Sequence, residues 1–216
     1  MKHKIKVPTH LGEITLKQYQ KMASKGESIT NEDLVSIYCN ISSDEVLRLP
    51  NGVYEEVLLT LSEVLSKTND NHQLIQRFKL NQVEYGMIPN LEEITYGENK
   101  DMTTYLGDWS TMHLAMSVLF RPIDKKNNRK QYSIQQYNGT SEHRDVMEHM
   151  PLDIVLGAQL FFYRLTKALL NAIPNYLERV VAHNKQQTQV AITNEHGETM
   201  TSCLHSLRET LDGLTK

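Results

Sequence analysis

Apolar side chains recur at helical spacing in the first third of the chain. Between Gly52 and Ser66 they fall at three- and four-residue steps, at Val53, Val57, Leu58, Leu61, Val64 and Leu65. This period predicts a helix with one buried face. Three shorter helices are expected before it, because suitable N-terminal capping residues precede each of them. These helices begin after Thr15, after Thr30 or Asn31, and after Ser42 or Ser43.

Alternation of apolar and polar residues predicts β structure at three places. A small hairpin is expected at residues 3–15, where Ile5 and Val7 alternate with lysines before a turn. A second hairpin is expected at residues 74–88, with Asn81-Gln82 as its tight turn. A short strand is expected near residues 131–137.

The middle of the chain predicts two further helices and a loop. A short helix is expected from Asn99 or Asp101 to about residue 106, followed by a second one over residues 110–120. The second helix should end there because Pro122 cannot continue the helical hydrogen bonds. The charged residues 124–130 are expected to form a loop tip.

The most apolar stretch follows Pro151, which suits the first position of a helix. A long helix is expected from Leu152 to about Ala172, with apolar residues on nearly every face. Such a helix is buried on most sides, either as the central core helix or between its own domain and a neighbouring subunit. Pro174 should kink or end it, and residues 175–182 should continue helically.

These patterns together predict an α+β fold that is mainly helical. Amphipathic helices should surround the long apolar helix at about 152–172, with the small hairpins and the short strand beside them. Residues 1–183 are expected to form one core domain. Residues 184–216 should be a polar linker and a short helix whose narrow leucine stripe needs a surface to dock on.

Composition narrows the function classes. The 216 residues include 23 basic and 26 acidic ones, for a net charge of −3, which is too balanced for a typical nucleic-acid-binding domain. Cys39 and Cys203 lie far apart, which argues against a disulfide framework and favours a reducing compartment. The chain start lacks the apolar core of a signal peptide, and charges interrupt residues 152–173, so no membrane span is expected.

The sequence offers no catalytic, cofactor-binding or metal-ligating constellation. It contains no P-loop, dinucleotide-binding, nucleophile-elbow or zinc-protease motif. His113 has no partner ligand at matching helical spacing, and His143 and His149 are six residues apart rather than three or four. Cys203 and His205 would need further zinc ligands from elsewhere. We therefore expect no enzyme activity, no cofactor and no metal.

Aromatic residues in the middle and late helices have two interpretations. They form the core, as apolar stripes at helical spacing usually do, or some of them contact another subunit, since Trp and Tyr are enriched at interfaces. The candidate partner-contact residues are Tyr105, Trp109, Arg121, Phe161, Phe162, Tyr163, Leu204, Leu207 and Leu211. The loop at residues 124–130 is a further candidate.

A pattern of structural residues runs through residues 78–180. It comprises Gly97-Glu98, Asp101, Tyr105, Trp109, Met116, Leu119-Phe120-Arg121-Pro122-Ile123, Tyr137-Asn138-Gly139-Thr140, Pro151 and Phe161-Phe162-Tyr163. In this pattern the chain resembles head–tail connector and ring structural proteins of tailed bacteriophages, including crAss-like phages. The matching positions are structural rather than ligand-binding, so the resemblance implies a fold and a setting but no active site.

The resemblance implies a virion structural protein in the neck or tail barrel, assembled in the cytoplasm of the host bacterium. It would form a homo-oligomeric ring of about twelve copies at the portal–tail junction. The portal and neighbouring tail proteins would be its partners, and DNA would pass through without sequence-specific binding. One alternative is a tail assembly chaperone that is absent from the mature virion. Another is a small phage-encoded enzyme or nucleic-acid-binding factor.

Overall fold

The computed structural model describes residues 5–69, 72–128 and 131–184, and eight α-helices and four β-strands lie within these ranges. The helices are α1 (Leu16–Lys25), α2 (Asn31–Cys39), α3 (Ser43–Leu47), α4 (Asn51–Ser66), α5 (Tyr96–Tyr105), α6 (Met112–Leu119), α7 (Arg144–Met147) and α8 (Leu152–Asn184). The strands are β1 (Arg77–Leu80), β2 (Val83–Met87), β3 (Phe120–Asn128) and β4 (Gln131–Ile134). The mixed, mainly helical fold class is therefore confirmed.

The first three helices start at the caps that the sequence predicts. The hydroxyls of Thr15, Thr30 and Ser42 each accept a hydrogen bond from the backbone N–H three residues later. In each case the side chain of that later residue reaches back to the N–H of the capping residue, which completes a capping box. These reciprocal bonds satisfy backbone donors that would otherwise have no partner.

The four strands form one antiparallel sheet in the order β1-β2-β3-β4. The predicted hairpin at residues 74–88 is confirmed as β1 and β2, in which Leu80 pairs with Val83. Asn81 and Gln82 both have positive φ, at 49° and 66°. Two consecutive residues with positive φ give a two-residue turn whose twist matches that of the flanking strands.

Three expectations for the middle of the chain need correction. The predicted loop at residues 124–130 is largely part of strand β3, which pairs with β2 through Phe120 and Met87. Helix α5 begins at Tyr96 rather than near residue 100, because Thr95 caps it with Glu98 in a further capping box. The strand expected at residues 131–137 is present but ends at Ile134.

The hairpin expected at residues 3–15 is wrong over the described part of that segment. Thr15 instead forms an isolated antiparallel bridge with Pro151. The N–H of Leu16 donates to the Met150 carbonyl at 2.9 Å, and the N–H of Leu152 donates to the Ile14 carbonyl at 2.9 Å. The chain entering α1 and the chain entering α8 thus satisfy each other's helix-start donors, which local alternation cannot reveal.

The beginning of α8 joins two apolar clusters. The first lies between the sheet and helices α6–α8 and includes Phe78, Tyr85, Met116, Phe120, Met147, Ile154, Val155 and Ala158. The second lies among the N-terminal helices and includes Val35, Tyr38, Val57, Leu61, Val64, Leu152 and Leu156. Different faces of the start of α8 therefore pack into the two clusters and hold the sheet side and the N-terminal helices together.

The burial of α8 decreases along its length. Most of its side chains from Leu152 to Ala158 are buried, and among its described side chains Phe162 is the last buried one. Beyond it, the described side chains through Leu170 are half-buried or exposed. The helix also continues through Pro174 to Asn184 without ending. No helix of the described chain is long and apolar enough to cross a membrane.

The prediction that residues 1–183 form a single domain is not tested by the structure. The polar linker and docking helix expected at residues 184–216 lie outside the described residues, apart from Asn184 at the end of α8. The predicted contacts through Leu204, Leu207 and Leu211 lie outside them as well.

Candidate functional site

Trp109 lies at the junction of the two apolar clusters and packs against both. Its ring centroid is 4.5 Å from that of Tyr19 on α1, with an interplanar angle of 59°. The Gln20 side-chain amide donates to the Trp109 carbonyl at 2.6 Å. Through these two contacts the tryptophan fastens α1 to the start of α6 within one copy. Its side chain is only partly buried.

The same amide reaches His113 on α6, with Gln20 Nε2 3.0 Å from His113 Nδ1. An amide nitrogen donates hydrogen bonds and does not accept them, so Nδ1 of His113 is the acceptor in this contact. Burial lowers the pKa of His113, although the charges of Glu148 and Asp145 oppose this effect. His113 is therefore held neutral as a structural residue.

Arg121 is buried rather than presented to a partner. Its Nη1 lies 2.6 Å from Glu98 Oε1, and each side chain is only 6% exposed. Burial alone would raise the pKa of Glu98, but hydrogen bonds from Thr95 and the guanidinium of Arg121 outweigh it and lower the pKa. Arg121 Nη1 is within hydrogen-bonding distance of Glu98, although neither Nε nor Nη1 makes a hydrogen bond of regular geometry among the described residues.

Tyr137, which is half-buried, contacts this ion pair from the loop after β4. The Arg121 guanidinium lies 5.5 Å from the centre of its ring, close enough for a cation–π contact. The Tyr137 hydroxyl donates to a carboxylate oxygen of Asp101 on α5. Burial and that hydrogen bond raise the pKa of Tyr137. The predicted contact residue Arg121 thus ties β3 to α5 and to the Tyr137 loop.

The three consecutive aromatic residues of α8 have different surroundings. Phe162 is 5% exposed and belongs to the first apolar cluster, whereas Phe161 and Tyr163 are half-buried. The rings of Phe161 and Phe162 meet edge to face at 5.2 Å. Tyr105 at the end of α5 is also half-buried. Of the predicted contact residues on the described chain, Tyr105, Trp109, Phe161 and Tyr163 therefore retain some surface for a partner.

A cleft of about 540 Å³ lies between the N-terminal segment, α1 and the end of α2. Lys17, Lys21 and His149 line it beside Glu13 and Cys39. Burial raises the pKa of the Cys39 thiol to about 11, so this thiol remains protonated and is a poor nucleophile. Within the described ranges, no group of three His, Cys, Asp or Glu residues could hold a metal ion.

The structure also exposes large apolar side chains that the sequence patterns did not single out. Leu47 at the end of α3 is 76% exposed, Leu59 on α4 is 73% exposed, and Tyr96 at the start of α5 is 82% exposed. In the same helix Leu58 is half-buried and Leu61 is buried. Only the direction in which α4 packs distinguishes Leu59 from these neighbours.

Comparison with protein-family models, with curated proteins and with solved structures found no match to this chain. The described residues define only a broad class: a mainly helical α+β protein in which α8 carries half-buried apolar residues, such as Leu165, beyond its buried first part. The candidate site is the surface that Tyr105, Trp109, Phe161 and Tyr163 leave half-exposed in one copy.

Proposed function

We propose that the chain is a structural virion protein of a tailed phage that forms a homo-oligomeric ring at the portal–tail junction. The observation that carries this proposal is the course of α8. The helix has 33 residues, so it is about 50 Å long at roughly 1.5 Å per residue. Among the α8 side chains that the structure describes, which run as far as Leu170, Phe162 is the last buried one.

The apolar residues beyond Phe162 need a covering surface. The sequence predicts a helix buried on most sides as far as about Ala172, whereas one copy leaves Leu165 and Leu170 half-buried. In a ring, neighbouring copies would cover this part of α8. The amphipathic helices would then surround a long apolar helix once the assembly is complete.

The function would be mechanical. Copies would pack side by side through α8, while the β3–β4 hairpin and the chain termini would reach the portal and the neighbouring tail proteins. The net charge of −3 suits a bore through which DNA must slide, because strong positive charge would retain the phosphate backbone. Closed cyclic symmetry follows from head-to-tail contacts whose rotation closes.

The test has two parts. Mass spectrometry of purified particles of the phage that encodes the chain should detect it in a fixed ratio to the portal protein. Negative-stain electron microscopy of the purified full-length protein should show closed rings. A chain that is absent from the particles and monomeric at every concentration would refute the proposal.

A tail assembly chaperone is the second candidate, because the half-exposed apolar residues of α8 could also hold an apolar segment of another tail protein. In that case the chain would be absent from purified particles, yet it would copurify with a tail protein from infected cells. Particle composition therefore separates the two functions.

A further inference from the structure

The backbone of β1 bonds to β2 at every second residue, and the residues between face outward. The Gln76 carbonyl accepts a hydrogen bond from the Met87 N–H at 2.9 Å. Bonded and non-bonded pairs alternate along two antiparallel strands, so Phe78 is the next residue whose backbone bonds to β2. The N–H and C=O groups of Arg77 and Lys79 therefore point away from β2, at the edge of the sheet.

This outer edge of β1 is open in one copy. Among the described helices and strands, only β2 lies closely alongside β1. The outward N–H and C=O groups of Arg77 and Lys79 form no hydrogen bond with another part of the described chain. Gln76, Arg77 and Lys79 are exposed, and Ile75 just before them is 38% exposed. Such a row of unpaired donors and acceptors is a template on which a further strand can pair.

The exposed face of this edge is positively charged. Arg77 and Lys79 project on the same side of the strand, and neither forms an ion pair among the described residues. The Arg77 guanidinium lies 5.7 Å from the centre of the Tyr132 ring, a contact that leaves its charge uncompensated. Glu84 lies opposite Lys79 on β2. Two cations and one carboxylate thus share this face of the hairpin, which remains net positive.

These charges argue against a second copy of β1 as the occupant of the edge. In an antiparallel pairing of two β1 strands over their whole length, Arg77 of one copy would face Lys79 or Arg77 of the other. Like charges directly opposite each other destabilise a pair of strands, and charged side chains commonly protect edges against such pairing. The same charges favour a strand that places carboxylates at these positions.

We propose that the outer edge of β1 binds an extended acidic segment of another protein, which joins the sheet as an antiparallel fifth strand. The backbone of the segment bonds to Arg77 and Lys79, and its carboxylates lie on the face of these two cations. Apolar side chains at the alternate positions pack on the other face, beside the buried Phe78 and the half-buried Leu80. The inference is independent of the proposed function, because it requires no ring.

Synthetic peptides test the pairing with the full-length protein. The probe is a fluorescein-labelled peptide of alternating glutamate and valine, about eight residues long, which is an ordinary strand length. It should bind saturably in fluorescence anisotropy at moderate salt. A peptide with lysine in place of every glutamate should bind at least about tenfold more weakly, because like charges then face each other.

Two N-methylated peptides separate strand pairing from simple charge attraction. In the proposed pairing, the residues opposite Arg77 and Lys79 direct both their side chains to the cations and their N–H groups to β1. Methyl groups on the glutamate nitrogens should therefore weaken binding at least about tenfold, because they remove the bonded N–H groups. Methyl groups on the valine nitrogens should leave binding nearly unchanged.

Variants of Lys79 test the same edge from the side of the protein. Lys79→Pro removes the outward N–H but no bond between β1 and β2, and it should weaken binding at least about tenfold. Lys79→Gln removes only the charge and should weaken binding about threefold. Lys100→Gln, at an exposed lysine of α5, is the matched control and should bind like the wild type. Thermal unfolding followed by circular dichroism should show that each variant is folded.

Hydrogen–deuterium exchange gives a readout that needs no variant. The N–H groups of Arg77 and Lys79 should exchange rapidly in the free wild type and at least about tenfold more slowly with saturating peptide. No saturable binding, equal binding of the two methylated peptides, or unchanged exchange at these two residues would overturn the proposal. None of these outcomes depends on ring formation, so the proposed function can stand where this inference fails.

Discussion

Arg121 and Glu98 form a buried ion pair, with Nη1 and Oε1 2.6 Å apart and both side chains only 6% exposed. The pair joins β3 to the first turn of α5, where Glu98 also completes the capping box of Thr95. Moving two charges out of water is costly, and their mutual attraction offsets that cost only while both are present. The pair therefore makes the protein sensitive to the loss of either partner.

We expect Arg121→Met to destabilise the protein by about 3–5 kcal/mol, because it leaves the Glu98 carboxylate buried without its counter-charge. The double variant Arg121→Met/Glu98→Gln should be less destabilised than the single one. Urea denaturation followed by circular dichroism would measure both. A double variant at least as unstable as the single one would show that the stranded charge is not the cause.

The pH dependence of stability should depend partly on His113. Its pKa is lowered from 6.5, chiefly by burial. As the pH falls below about 6.5, the unfolded chain binds a proton at His113 before the folded chain does, so stability decreases. The loss of stability is complete once the pH lies below the pKa of His113 in the folded chain. Above about 6.5, neither state is protonated and this contribution does not change.

Urea denaturation of the wild type and of His113→Gln at pH 7 and at pH 5 would test this dependence. We expect the wild type to lose more stability than the variant over that interval, since glutamine can accept the Gln20 hydrogen bond but does not titrate. Equal losses in the wild type and His113→Gln would assign the effect to other groups.

Gly157 in α8 lies against the backbone of the segment before β1. A Cβ atom at this position would lie only 2.3 Å from the Gln73 carbonyl oxygen. Alanine normally favours a helix over glycine by about 1 kcal/mol, but here the clash involves backbone atoms that cannot simply rotate away. We expect Gly157→Ala to destabilise the protein by roughly 1–3 kcal/mol in urea denaturation.

Gly52 in α4 is the matched control for Gly157. A Cβ atom there would have no neighbour within 4 Å. Gly52→Ala should therefore be neutral or stabilise the protein by up to about 1 kcal/mol. Similar effects of the two substitutions would mean that the Gln73 segment moves away from α8 without cost.

Sequence reasoning predicted the elements whose signals are local. The capping box of Thr15 and Gln18 and the turn at Asn81-Gln82 each depend on residues no more than three positions apart. The bridge between Thr15 and Pro151 and the pairing of Phe120 with Met87 join distant parts of the chain. The false hairpin at residues 3–15 and the missed start of β3 come from these distant pairings, for which a single sequence has no signal. The rest of β3 pairs locally with β4, as in Lys126 with Tyr132, and was missed because its charged and amide residues lack the apolar alternation of a strand.

Predicting the candidate contact residues is limited in the same way, because exposure depends on parts of the chain that are distant in sequence. Residue chemistry selected aromatic side chains as candidate contacts, and one of them, Tyr163, is half-buried in a single copy. It could not foresee that Arg121 would be buried by Glu98, since the two residues meet only when β3 packs beside α5. Nor could it distinguish Leu59 from Leu58, because exposure depends on the direction in which the rest of the protein lies.

Tyr132 crosses the sheet above Gly86. A Cβ atom on Gly86 would lie 2.4 Å from Tyr132 Cε2. The tyrosine cannot easily move aside, because its hydroxyl donates to the Met87 carbonyl at 2.8 Å and the Arg77 guanidinium lies 5.7 Å from its ring centre. Glycine at position 86 thus allows a β4 side chain to bond to the β2 backbone across β3.

We expect Gly86→Ala to destabilise the wild type by roughly 1–3 kcal/mol, because the new methyl group displaces the ring. In a Tyr132→Ala background the same substitution should cost at least about 1 kcal/mol less, which is the coupling expected of residues in contact. Combining Gly52→Ala with Tyr132→Ala should give additive effects. Additivity between Gly86→Ala and Tyr132→Ala in urea denaturation would instead place the obstacle elsewhere, with Ile123 Cγ1 at 3.0 Å as the next neighbour.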